Sequence, residues 1–391
     1  MDESIDRCSP SLSRSTVDRP FDHRRCVPFR GAENAMRILT LSRECTLDDE
    51  GHGTPAHALA TELRRLGHEV AVLQGDAASA APDAQPAGAF FTGRWLPDLV
   101  HALDMRIGPA AARLADAAGV PLVVSVPAAD EHTGSFGAVD PMRRALAHRA
   151  DLLIACSSAE RQEIAAAYRL DPAAIEVLPD GVDVRVWHKM PVASEWARQL
   201  YNPDNSPLLL TFDTLEQTTG VQDLLSALPL IRNAHPGTRL VVAGDGSYRG
   251  ILSEQVRRSG LAAVTTFVGD LNLPDLRAAI GAADVIVLPR SPDPAGSAAL
   301  WAAAVGTPLV AARSGVLAEV VVDGRTGRLF GPGSVAELSA AVCAELDDPA
   351  LAEEHAKAAR ARLDAEFSWR AVAERAAGLY SATVRRNHKG R

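Results

Sequence analysis

The sequence predicts an α/β protein with two domains, each built on a parallel sheet. From Met36 onward, short apolar runs rich in β-branched residues alternate with alanine-rich helical patterns, which is typical of parallel sheets covered by helices. The 391 residues are enough for two domains, because single hydrophobic cores rarely grow beyond about 250 residues. An irregular segment containing Pro191, Pro203 and Pro207 separates two series of predicted strands.

Each series contains five predicted strands, and each strand is followed by a helical pattern. The predicted strands are residues 37–42, 69–74, 99–102, 121–126 and 152–155, then 208–212, 239–243, 264–268, 284–288 and 308–312. This pattern indicates two Rossmann-like domains. In open α/β sheets ligands bind outside the carboxyl ends of the strands, so two facing domains would form a deep cleft in which two small molecules could meet.

The predicted boundaries divide the chain into four parts. Residues 1–35 are rich in Arg, Asp, Ser and Pro and lack the continuous apolar region of a secretory signal, so we expect a disordered tail. Met36 is a candidate initiator, with Met1 as the alternative. Residues 36–190 and 191–365 are the two domains, and residues 366–391 form a final helix and tail.

Composition narrows the class of protein. A chain that is 47% hydrophobic and 23% charged is typical of a soluble enzyme, and no apolar run reaches the roughly 18 residues of a transmembrane helix. The net charge of -9 gives no general attraction to nucleic acid. Five cysteines without paired spacing argue against a disulfide scaffold or a zinc site and favour the cytoplasm, and the alanine-rich composition is typical of bacterial proteins.

Several motifs follow one another along the chain. They are G-H-G at 51–53, A-D-L-L-I-A at 150–155, L-P-D-G-V-D at 178–183, V-V-A-G-D-G-S-Y-R at 241–249, D-P-A-G-S-A-A-L-W-A-A-A-V-G-T-P at 293–308, A-E-V-V-V-D-G-R-T-G at 318–327 and F-S-W-R at 367–370. Each glycine turn alone is weak evidence, because tight strand-to-helix connections also need glycine. In this order and spacing, the motifs resemble the retaining glycosyltransferases of family 4.

The resemblance extends from Met36 to about Arg385 and implies the GT-B fold, in which two Rossmann-like domains face each other and a C-terminal helix crosses back to the first. It implies an acceptor site in the first domain and a nucleotide-sugar donor site in the second. Donor contacts are then expected at Gly53, Gly244, Gly246 and Glu319. A capping role at its strand-to-helix boundary is the alternative for Glu319.

Two family glutamates are replaced. The first becomes Asp293, which keeps a carboxylate that can reach sugar hydroxyls. The second, which accepts hydrogen bonds from the ribose diol in the family, becomes Trp301, whose indole has one donor and no acceptor. Trp301 either fills the nucleotide pocket and blocks the ribose, or packs against a donor whose nucleotide sits differently; packing in the core is the further alternative.

Two family cations that stabilise the leaving diphosphate are also replaced, by Thr214 and Thr219. We expect Arg290 to supply the missing charge, with Arg313 and Arg249 as further candidates; a solvated surface arginine is the alternative. A helix beginning at Gly296, Ser297 and Ala298 would offer backbone N–H groups to a diphosphate.

The predicted acceptor domain departs from the family as well. Pro127 stands where a histidine near the reacting sugar is expected, and His132 follows closely. Asp104 stands after the third strand, where the family often has a second histidine. His132 and Asp104, together with Asp293, are the candidate catalytic residues.

The first hypothesis for function is a metal-independent, hexosyltransferase-type enzyme that needs no cofactor beyond its nucleotide-sugar donor and acts on a small molecule or glycan. The second is an inactive member of the fold that serves as a binding or partner subunit, because Thr214, Thr219 and Trp301 together remove the expected Arg, Lys and Glu. A sugar-phosphate epimerase of the same fold is a third, weaker alternative. The nucleotide base, the sugar, the acceptor and the oligomeric state are not predicted.

Overall fold

A computed structural model describes residues 35–43, 54–74, 95–126, 141–290 and 295–389. It contains two parallel six-stranded sheets with interleaved helices, which confirms the predicted fold class. Within these ranges no helix is both long and apolar enough to cross a lipid bilayer.

The first sheet has the order β2-β1-β3-β4-β5-β6, with all neighbouring strands parallel. Its elements are β1 (Arg37–Ser42), α1 (Pro55–Arg65), β2 (Glu69–Gln74), β3 (Leu99–Ala102), α2 (Gly108–Ala118), β4 (Leu122–Ser125), α3 (Pro141–Arg149), β5 (Leu152–Ala155), α4 (Ser158–Tyr168) and β6 (Ile175–Val177).

The second sheet has the order β12-β11-β10-β7-β8-β9 and is also parallel. Its elements are α5 (Pro191–Tyr201), β7 (Leu208–Phe212), α6 (Val221–Ala234), β8 (Arg239–Ala243), α7 (Arg249–Arg258), β9 (Thr265–Gly269), α8 (Leu273–Ala282), β10 (Val285–Leu288), α9 (Ser297–Val305), β11 (Leu309–Ala312), α10 (Leu317–Val320), β12 (Arg328–Phe330), α11 (Val335–Asp347) and α12 (Pro349–Arg362). A π-helical turn (Leu363–Phe367) then leads to α13 (Trp369–Lys389).

The final helix α13 returns to the first domain, as the fold class predicts. Its residues Val372, Ala373, Ala376 and Tyr380 are buried in one core cluster with residues of β1, α1 and β3. The last helix of the chain therefore completes the core of the first domain.

Two crossing segments, residues 181–187 and 367–369, lie side by side between the domains. The Val182 amide donates to the Phe367 carbonyl at 2.8 Å, and Val182 forms a parallel β-bridge with Ser368. Gly181 permits this approach, because a Cβ at its position would lie 2.4 Å from the indole Cδ2 of Trp369. The two passages of the chain are thus held together at one point.

A buried polar network joins α13 to the first sheet. His101 Nε2 lies 2.9 Å from the Ser125 hydroxyl, and His101 Nδ1 lies 2.8 Å from the hydroxyl of Tyr380. Burial disfavours the charged forms, so it lowers the pKa of His101 to about 3 and raises the pKa of Tyr380. The histidine is therefore neutral in the folded protein over the physiological range.

The neutral His101 predicts a pH dependence of stability. Its pKa is lower in the folded state than in the unfolded chain, so its contribution is complete above about pH 6.5 and is lost as the pH falls toward 3. We expect His101→Gln to be less stable than wild type at pH 7.5. Below pH 6.5, wild type should lose about 1.4 kcal/mol more per pH unit than the variant. Urea denaturation at pH 7.5, 6.0 and 5.0 measures the difference, and parallel profiles would contradict it.

Candidate active site

The candidate donor site lies at the carboxyl ends of three adjacent strands of the second sheet. β10 pairs with β7 on one side and β11 on the other, so the loops that follow these strands meet at one edge. The loop at 213–220 follows β7, Arg290 lies just after β10, and the loop at 313–316 follows β11.

Thr214 and Thr219, which are predicted to stand in place of the family cations, lie in the loop after β7. Thr214 is exposed, whereas Thr219 is buried and its hydroxyl donates to the Glu216 carbonyl at 2.7 Å. The Glu216 carboxylate accepts hydrogen bonds from the Ser247 amide at 3.1 Å and the Ser247 hydroxyl at 2.5 Å. The Glu216–Ser247 bonds hold the loop after β7 to the loop after β8. Neither threonine adds positive charge to the site.

The exposed side chain of Arg290 runs beside this loop. A Cβ on Gly220, the residue after Thr219, would lie 3.4 Å from Arg290 Cγ. Within the part of the chain that the structure describes, no carboxylate forms an ion pair with Arg290. Arg313 and Arg249, in contrast, pair with Asp323 and Asp245, each at 2.6 Å. The Nη2 atom of Arg290 lies 3.9 Å from a Cβ placed on Gly333, in the loop after β12. Of the three predicted substitutes for the cations, Arg290 is the one without an ion pair among the described residues.

The helix α9 starts where the sequence predicts. Gly296 is its N-cap residue, with a φ of +68° that favours glycine, and Ser297 and Ala298 form the first turn. A Cβ at Gly296 would lie 3.2 Å from both Cγ atoms of Val316, so the start of α9 packs closely against the loop after β11. Asp293 lies outside the described residues, as do His132 and Gly53.

Trp301 belongs to a group of stacked aromatic rings. Its ring lies 4.3 Å from that of Trp187 with an interplanar angle of 7°, and 6.3 Å from that of Phe212 with an angle of 9°. Trp187 is buried in the crossing segment 181–187, and Trp301 is half-buried against the same core. Trp301 therefore packs against the core of the second domain, and its predicted place in the donor site stays a prediction.

Gly244 and Gly246 allow two loops to pack backbone against backbone. Gly244 has a φ of +117°, and a Cβ there would lie 1.9 Å from the Asp213 carbonyl oxygen. A Cβ at Gly246 would lie 2.5 Å from the carbonyl oxygen of Leu215. This close approach alone explains why both positions require glycine, without any contact to a donor.

Glu319 and Asp104 both accept hydrogen bonds from backbone amides. The Glu319 carboxylate accepts from Ser158 N at 2.8 Å and Ala159 N at 2.9 Å, in the first turn of α4. Glu319 thus caps a helix of the other domain, and its expected donor contact stays a prediction. Asp104 is buried, and its Oδ1 accepts from the amides of Arg106 and Ile107 just before α2.

His101, which no sequence motif marks, is a buried group between the first sheet and α13. Its only sequence signal is a histidine inside the apolar run of β3, and its partner Tyr380 is 279 residues away. Among the residues that the structure describes, no three His, Cys, Asp or Glu side chains form a group that could hold a metal ion. Metal independence stays a prediction.

Comparisons with known proteins agree that the chain is similar to glycosyltransferases. The family model described as "Glycosyl transferases group 1" matches residues 192–362, and "Glycosyl transferase 4-like domain" matches residues 89–181. A glycogen synthase of Mycobacterium tuberculosis is 39% identical over 299 residues, covering 74% of this chain and 70% of the relative. A D-inositol 3-phosphate glycosyltransferase of Arthrobacter is 31% identical over 306 residues, covering 73% and 71%.

Solved structures share the fold at lower sequence identity. Anabaena Alr3699/HepE in complex with UDP superposes with a TM-score of 0.69 and 21% identity, covering 89% of this chain and 100% of that chain. Sucrose-phosphate synthase from Thermosynechococcus elongatus gives a TM-score of 0.66 and 21% identity, covering 89% and 98%.

The packing of Gly244 predicts a large difference between two glycine substitutions. Gly244→Ala should lower the free energy of unfolding by about 2–4 kcal/mol, because the new Cβ meets a backbone oxygen and the φ is positive. Gly250→Ala is the matched control: nothing lies within 4 Å of its Cβ position in α7, so a gain of about 0.5–1 kcal/mol is expected. Equal effects in urea denaturation would contradict the steric explanation.

Proposed function

Because the chain belongs to the group 1 glycosyltransferases with the GT-B fold, we propose that it moves a sugar from a nucleotide-sugar donor to a small-molecule or glycan acceptor with retention of configuration. The Anabaena protein was solved with UDP and with UDP-glucose, which favours a hexosyl nucleotide as the donor class. The Mycobacterium relative is a glycogen synthase, which makes a glucan one candidate acceptor.

The proposal depends on one observation, the available charge of Arg290. In sugar transfer the bond between the anomeric carbon and the diphosphate oxygen breaks, and negative charge develops on the leaving group. A guanidinium is always protonated and can donate two parallel hydrogen bonds to phosphate oxygens. Arg290 lies beside Gly220 at the edge where the family cations are missing, so we assign it the stabilisation of the leaving diphosphate.

The remaining candidates take supporting roles in the proposal. The N–H groups at Ser297 and Ala298 assist Arg290 at the start of α9. Asp293 hydrogen-bonds to hydroxyls of the transferred sugar, and His132 acts near the reacting centre. Asp104 holds the start of α2 with its two amide bonds, so we propose that it positions the acceptor side rather than exchanging a proton.

Metal independence and a cytoplasmic location complete the proposal. Arg290 and the helix terminus supply the positive potential that a metal ion supplies in other transferases. The scattered cysteines suit a reducing compartment.

Nucleotide binding tests both the donor class and Arg290. In a thermal-shift titration with UDP, GDP, ADP, CDP and TDP, we expect one nucleotide to stabilise the full chain by about 2.7 kcal/mol at 100 times its dissociation constant. Arg290→Ala should weaken that nucleotide about ten-fold to a hundred-fold, because a charged hydrogen bond contributes about 1.5–3 kcal/mol. Arg257→Ala is the control, since Arg257 pairs with Glu254 on α7. Unchanged binding or turnover in Arg290→Ala would reject its role.

The second candidate function is an inactive binding or partner subunit. Two observations favour it: the Thr219 hydroxyl bonds inside its own loop, and Trp301 is stacked with two aromatic rings. Failure of every nucleotide to bind would support this candidate over the transferase.

A partial restoration of the family residues separates the two functions. Trp301→Glu with Thr214→Arg should abolish native transfer if the site is rearranged, because the stack and its packing are lost. Thr219 stays unchanged, since a buried lysine there would disrupt the loop. Trp301→Phe, which keeps an aromatic ring, is the control and should retain most activity. A gain of donor hydrolysis in the double variant would instead support the inactive subunit.

A further inference from the structure

Glu319 makes a contact that joins the two domains. It lies on α10 of the second domain, and its two carboxylate oxygens accept separate amides of α4 in the first domain, Ser158 N at 2.8 Å and Ala159 N at 2.9 Å. We propose that Glu319 is a positioning residue: the domains are closed on each other when its two bonds are made and open when both are broken.

The first turn of α4 shows why the contact matters. The first backbone N–H groups of a helix have no partner within the helix and need an outside acceptor. The Ser157 hydroxyl accepts from Glu160 N at 3.1 Å, and the Glu160 carboxylate is directed back to Cys156 N at 2.6 Å. The first domain thus caps the third amide, and the second domain supplies the acceptor for the first two.

The chemistry of this cap favours a specific geometry. A carboxylate at a helix amino terminus interacts favourably with the partial positive charge there, and hydrogen bonds to an ionised acceptor are stronger than neutral ones. Because each oxygen of Glu319 accepts a different amide, the cap fixes orientation as well as distance. A single bond would allow the domains to rotate about it.

The helix that carries Glu319 is firmly held in the second domain. Leu317 and Val320 are buried in the core, and Arg362 donates to the Val320 carbonyl at 2.6 Å. The Arg362 guanidinium also lies 5.4 Å from the ring centroid of Phe367, in the crossing segment 367–369. Arg362 therefore links α10, the helix that carries Glu319, to Phe367 in the crossing segment 367–369.

This arrangement combines a pivot and a latch. The paired crossing segments, with Val182 bonded to Phe367, are the pivot. The two bonds of Glu319 are the latch, and both must break for the domains to separate at this point. Loss of the carboxylate should increase the ratio of open to closed molecules by about ten-fold or more.

The test compares full-length Glu319→Ala and Glu319→Gln with wild type by small-angle X-ray scattering and hydrogen exchange. Glu319→Ala should increase the radius of gyration and speed amide exchange at Ser158 and Ala159 by about ten-fold or more. Glu319→Gln keeps one acceptor oxygen and should give smaller changes of the same sign. It also keeps the proposal falsifiable if the alanine variant unfolds.

Glu337→Ala is the matched control. The Glu337 carboxylate also accepts a backbone amide, Gly331 N at 2.7 Å, but within the second domain. It should leave the radius of gyration and α4 exchange at wild-type values. A Glu319→Ala protein that folds but keeps both wild-type values would overturn the proposal.

The effect on catalysis rests on the proposed function, but neither measurement above requires turnover or a nucleotide. If the transferase proposal holds, Glu319→Ala should lower kcat more than it changes the KM of the donor, because closure brings the two sites together. If no nucleotide binds the wild-type protein but Glu319→Ala still opens the domains, the transferase proposal is rejected. The proposed role of Glu319 in domain closure is then still supported.

Discussion

The structure depends on the double passage of the chain between its two domains. At this point Gly181 lies against Trp369, and the Val182 amide is hydrogen-bonded to the Phe367 carbonyl. The two segments that connect the domains are therefore joined to each other and form one pivot. Trp187, at the end of the first passage, stacks with Trp301 on α9. The middle of the candidate donor helix α9 therefore packs against the crossing segment 181–187.

The backbone at the candidate donor site is held by contacts that involve none of the predicted replacements of family residues. The loops after β7 and β8 are fitted to each other through Gly244 and Gly246, and the Glu216–Ser247 bonds hold them together. With these loops fixed, a cation that follows a neighbouring strand can lie at the same edge of the sheet. Arg290 has that location, because β10 lies directly beside β7.

Local sequence patterns were sufficient for most of the fold and for part of the site. All ten predicted strands exist, but the three-residue edge strands β6 and β12 were missed because such short segments carry no clear periodicity. The start of α9 was predicted because a glycine N-cap is a local signal. Glu319 could not be assigned in this way, since its partners are 160 and 161 residues away and belong to another domain. The sequence suggests a cap at the strand-to-helix boundary of Glu319 itself, whereas Glu319 caps α4 in the first domain. The roles of Asp293, His132 and Gly53 stay predictions.

The return of α13 to the first domain has a consequence for synthesis on the ribosome. The residues that form the first sheet are translated before residue 180, yet their core is completed by Tyr380 and the apolar residues before it. At about 5–20 residues per second, the nascent first domain waits roughly 10–40 seconds for its last helix. During that interval the surface around His101 and Ile38, which α13 will cover, is open to chaperones or to neighbouring chains. The domains of this protein therefore cannot mature strictly in the order in which they are made.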